Sequence, residues 1–117
     1  MQQIGFPIQV PFIPKEDDSV RLLFEVTEGL DYTNLYKTYS TLGINPAVDP
    51  VTLFRILIYG DMNKIYSSRE LEKACQRDIN FIWLLHGQNA THYNEITRFR
   101  SERLVNCFRD LFNQLII

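Results

Sequence analysis

The chain has 117 residues, 45% of them apolar and 22% charged, which is the size and balance of one ordinary globular domain. That balance excludes a disordered tail, a collagen-like fibre and a disulfide scaffold. No apolar run reaches the roughly 18 residues of a membrane span, no secretory leader is legible, and Cys75 and Cys107 are too few and too distant for a metal framework, so the cytoplasm is the expected compartment. The net charge of −2 conceals an asymmetry: residues 1–63 hold four basic against eight acidic side chains, and residues 64–117 hold eight against six. A basic C-terminal half fits an anionic partner.

Residues 1–18 contain IGFPIQVPFIP, whose prolines remove backbone donors and fix φ. An extended arm is predicted there, and a single helical domain over 19–117. Ser19 and the acidic residues before it begin a helix over 20–28, with Val20, Leu23, Phe24 and Thr27 inward and Gly29 as its stop. A short helix follows over about 33–40. Asp49-Pro50 then opens a helix from Val51 to about Met62, with Asp49 as cap and proline in the first turn. Its apolar residues cover nearly the whole circumference, which belongs at the centre of a bundle. Gly60 within it signals close approach of a neighbour.

Ser67 to Glu70 form a capping box for a helix reaching about Gln76, with Leu71, Ala74 and Cys75 inward. Asp78 can cap a short helix over Ile79–His86, closed by Gly87. A long last helix is predicted from near Asn94 to Leu115, its inner stripe being Ile96, Phe99, Leu104, Cys107, Phe108, Leu111 and Leu115. No strand is convincing. The expected fold is all-α: a compact bundle of about six helices around a buried central helix, with a helix-turn-helix-like pair near its C-terminus.

Arg69, Lys73 and Arg77 recur every four residues opposite the inner face of their helix, a row able to follow phosphates. On the last helix, Asn94, Thr97, Arg98 and Ser101 share the outer side and Arg103 lies at its edge; arginine and asparagine suit base edges. Helical phase places Arg100 inward, about 160° from Arg98, where a guanidinium must be paired. Its expected partners are Glu70, Glu72 or Asp78. Other chemistry is poor. His86 and His92 lack companions at metal-ligand spacing, no glycine-rich phosphate loop or nucleophile elbow occurs, and both cysteines read as inert core thiols. No catalytic residue, metal site or cofactor is expected in this chain.

Several ordered positions go further. Pro50, Tyr59-Gly60, Ser67 to Glu72, Asp78-Ile79, Phe81, Trp83-Leu84 and Phe99-Arg100 stand in one pattern, and residues 31–43 (DYTNLYKTYSTLG) precede it. Across about 20–112 this resembles the N-terminal domain of insertion-sequence transposases of the DDE type. The pattern departs at Thr91-His92-Tyr93-Asn94-Glu95-Ile96, where the family has proline, aspartate and threonine; Thr91 or Asn94 is then the expected cap of the last helix. The resemblance implies a helical domain that recognises terminal inverted repeats on double-stranded DNA. It also implies that divalent metal belongs to a separate ribonuclease-H-like catalytic domain. No strand-rich region follows Leu115, so the chain by itself is expected not to cut DNA. The alternative is a protein–protein module for self-association or for docking on a catalytic domain, suggested by the apolar arm and the acidic first half.

Overall fold

The computed structural model describes residues 19–40, 48–89 and 91–116. The arm expected over 1–18 lies outside the described residues. Seven α-helices occur among them: α1 (Ser19–Glu28), α2 (Thr33–Ser40), α3 (Pro50–Met62), α4 (Ser68–Arg77), α5 (Ile79–Leu85), α6 (Tyr93–Arg98) and α7 (Phe108–Ile116). The all-α fold expected from the sequence is what forms.

The hub is α3. Asp49 accepts the Val51 N–H at 3.0 Å, and Pro50 occupies the first turn, where its missing N–H costs nothing. Leu53, Phe54, Ile56, Leu57 and Tyr59 are buried on several sides, against α1, α4 and α5. Gly60 is required by α4: a Cβ there would stand 2.6 Å from Leu71 Cδ2 and 2.9 Å from the Ile65 carbonyl oxygen. Arg55 is also buried, against the run of the helix. Its Nε donates to Thr27 Oγ1 at 2.8 Å, its Nη2 to Glu28 at 3.0 Å, and its guanidinium lies 4.0 Å from the Phe24 ring centre.

Shorter elements are fixed by side-chain caps. Ser67 Oγ accepts the Glu70 N–H at 3.2 Å to start α4, and Asp78 accepts the Asn80 N–H at 2.8 Å to start α5. His86 (φ 50°) and Gly87 (φ 82°) end α5 in the left-handed region. Tyr36, in α2, donates to Asp49 at 2.7 Å. At the far end of the chain, Gln114 Oε1 accepts the Asp31 N–H at 2.7 Å and its Nε2 donates to the Asp31 carbonyl at 3.0 Å, tying α7 to the corner between α1 and α2.

The last segment is not the single helix expected. After α6 the chain makes a π turn over Phe99–Arg103, in which the Leu104 N–H reaches back five residues to Phe99. A 3₁₀ turn over Leu104–Asn106 and a break at Cys107 follow before α7.

Candidate nucleic-acid interface

The cation row of α4 faces outward: Arg69, Lys73 and Arg77 are exposed, while Leu71 and Cys75 are buried beneath them. What lies beside the row follows from packing. α4 packs against both α5 and α6, whereas α5 and α6 make at most marginal contact. The close pairs at this end are thus α4 with each neighbour, and α5–turn–α6 is not a tightly packed hairpin.

Two contacts join the start of α4 to α6. Arg69 Nη2 donates to the Tyr93 hydroxyl at 3.2 Å, with the guanidinium 4.1 Å from that ring's centre. One turn further along α6, Thr97 Oγ1 donates to Ser68 Oγ at 2.9 Å. Asn94, Thr97, Arg98 and Ser101 are all exposed. Thr97 therefore lies beside the start of α4, with Asn94 and Arg98 exposed on the same short helix and Ser101 exposed in the π turn that follows. Lys73 and Arg77 continue the row away from that junction.

α6 is capped by neither expected residue. His92 Nδ1 accepts the Asn94 N–H at 3.2 Å, while Thr91 is buried and donates to Glu95 Oε1 at 2.9 Å. His92 thus supplies an acceptor where the family pattern has aspartate.

Two assignments on the last segment are reversed. Arg100 is exposed, and it forms no ion pair with Glu70, Glu72 or Asp78 among the described residues. Arg103 is the buried one, 6% exposed, with its guanidinium 5.1 Å from the Tyr39 ring centre. Constant phase averaged along the stripe to Leu115 put Arg100 inward. The π turn adds a residue and brings Leu104 under Phe99, so the inner line runs through Ile96, Phe99 and Leu104. Arg103, four residues after Phe99 and seven after Ile96, lies along that line and Arg100 to its side. Arg103 is therefore withdrawn from the DNA-facing set. Burial pushes the Tyr39 phenol up, and the Arg103 cation opposes that shift. An ion pair among the described residues, Arg55–Glu28, joins α3 to α1.

Sequence reasoning missed Tyr93 and Ser68, which position Arg69 and Thr97. Those contacts cross more than twenty residues of chain and leave no local signal. Arg55 did leave one, as a cation set among apolar residues on either side. Cys75 and Cys107 are buried free thiols, and burial pushes Cys75 up to about 12, helped by Asp78 and Glu72. Among the described residues no group of three or more His, Cys, Asp or Glu gathers as metal ligands, and no helix is long and apolar enough to cross a membrane.

A family model described as a transposase domain (DUF772) matches residues 9–102. No curated protein and no solved structure matches the chain.

Proposed function

Because the chain belongs to this transposase-domain family, we propose that it is the part of a transposase that recognises double-stranded DNA, at the terminal inverted repeats of an insertion element. The observation that carries the reading is the α4–α6 junction: Arg69 held against Tyr93, Thr97 against Ser68, with exposed Asn94, Arg98 and Ser101 alongside.

In this reading α4 and α6 together form the DNA-reading surface. Arg69, Lys73 and Arg77 neutralise successive phosphates. Asn94, Thr97, Arg98 and Ser101 approach base edges or the adjacent backbone. The domain binds and does not cut, and strand cleavage falls to carboxylates and divalent metal outside this chain. Support comes from the family, from the exposure of these side chains and from their mutual contacts.

The test is a salt titration of binding to a duplex bearing the element's own end sequence, with a scrambled duplex as control. Three neutralised phosphates give a slope of about −3 in log K against log salt, and Lys73→Ala should reduce its magnitude by about one. Arg98→Ala should weaken binding with little change in melting temperature. Binding too weak to measure even at low salt would sink the proposal.

A further inference from the structure

The α4–α6 junction adjoins a groove. Thr97 and Ser68 are hydrogen-bonded at 2.9 Å, and the chain near each of them lines the same groove: Tyr66 stands two residues before Ser68, and Arg100 three after Thr97. The groove has a volume of about 610 Å³ and an apolar floor from α3 and Leu104, and Phe108 and Arg109 line it from α7. Its lining carries two guanidinium groups, Arg100 and Arg109, against the Asp61 carboxylate, and none of the three is in an ion pair among the described residues. It also presents aromatic rings to solvent. Tyr66 is 59% exposed and Phe108 47%. Phe112, 49% exposed, stacks on Phe108 with ring centres 5.5 Å apart and an interplanar angle of 17°.

We infer that this groove holds unpaired DNA, a single-stranded stretch continuing from the duplex bound at the α4–α6 junction. The inference rests on the DNA reading above and extends it to a second form of the same ligand. Position selects the ligand, because a strand passing the Ser68–Thr97 contact meets Tyr66 and Arg100 next. Charge agrees with position. Arg100 and Arg109 continue the exposed cations Arg69 and Arg98 and leave the groove net positive, as a phosphate backbone requires. The rings select unpaired over paired DNA. Inside a duplex each base face is covered by its neighbours, whereas an unpaired base can lie on Tyr66 or extend the Phe108–Phe112 stack. Asp61 has a place in the same arrangement, since a carboxylate accepts the exocyclic amino hydrogen of a base such as cytosine. The volume is that of a small-molecule site, enough for a nucleotide or two and too little for a duplex.

The test titrates the full chain against duplexes bearing the element's own end sequence. One is blunt, and the others carry a tail of about six nucleotides on the 5′ or the 3′ strand, with 2-aminopurine in the tail. One tail polarity should bind about tenfold tighter than the blunt duplex, the gain from one stacked base, and its 2-aminopurine fluorescence should change on binding. Tyr66→Leu combined with Phe108→Leu keeps the apolar bulk and removes both rings. It should abolish the gain and the fluorescence change while blunt-duplex affinity stays native. Tyr66→Phe with Phe108→Tyr should keep both signals, and circular dichroism melts confirm that each variant folds. Arg109→Ala should lower the gain and flatten its salt dependence. Equal affinity for tailed and blunt duplexes overturns the inference, as does a gain that survives loss of both rings. The DNA reading fails separately, by absence of blunt-duplex binding at low salt. In that event the free tail still tests the groove: a fluorescence change that the double leucine variant removes upholds it, and no change overturns it.

Discussion

The helix α3 and the segment from Tyr93 to Ile116 are both largely apolar on one or more faces, yet they solve the same problem differently. α3 is capped by Asp49, keeps one hydrogen-bond pattern throughout and meets neighbours around most of its circumference. The C-terminal segment passes from α to π to 3₁₀ and back to α, and leaves Val105, Phe108 and Phe112 in solvent. Each buries one arginine. Arg55 is satisfied by a hydroxyl, a carboxylate and an aromatic face, whereas Arg103 rests beside Tyr39. A core surrounded on several sides enforces regular phase. A segment held along one edge can change helix type to bring selected side chains inward.

If that contrast is correct, the largest effect should come from Arg55→Ala. It removes a hydrogen bond to buried Thr27 and the filling against Phe24, at a cost of about 2–3 kcal/mol. Glu28 is 64% exposed and rehydrates on losing its partner, so the loss falls short of that for breaking a fully buried pair. Chemical denaturation would measure it, and a change within error of zero would break the contrast. Next comes the reversal within the C-terminal segment: Arg103→Ala should cost about 1–2 kcal/mol, and Arg100→Ala should leave the melting temperature nearly unmoved. If Arg100 proves the costlier loss in thermal melts, the π turn is misplaced.

The remaining effect is confined to alkaline pH. The Cys75 thiol is raised from 9.0 to about 12 by burial, then by Asp78 and Glu72. An acid whose folded pKa is raised contributes stability that is whole below its unfolded pKa and is lost as pH rises towards the folded one. Stability should therefore fall between about pH 9 and 12, with Tyr36, also raised to about 12, adding to the upper part. Denaturation of Cys75→Ala across that range should show a shallower decline; an identical slope would remove Cys75 as a cause.

Much of this was legible in the sequence wherever a signal was local. Asp49, Ser67 and Asp78 cap helices because each sits immediately before an apolar periodic run. Gly60 marked the approach of Leu71 because nothing else tolerates contact so near the backbone. The exposed sets on α4 and α6 were legible from spacing for the same reason. The His92 cap was hidden because histidine rarely serves there, and the Arg69–Tyr93 contact because it joins distant parts of the chain. The exchange of Arg100 for Arg103 was illegible because FRSERLVN has the same intrinsic preference whether its turn closes after four residues or five. The core on either side settles that choice.

The two ends of the irregular stretch are fastened: α6 to α4 through Thr97 and Ser68, α7 to the Asp31 corner through Gln114. Between fixed ends, changing helix type alters the length and rotation delivered per residue, as a vernier trims a scale. The π turn stores one residue of slack and the 3₁₀ turn pays some of it back. The stretch from Phe99 to Cys107 therefore has a residue count to satisfy as well as a composition. Deleting one residue there would straighten the turn into ordinary helix and turn the exposed Phe108 and Phe112 to another side of the segment, even though both side chains were kept.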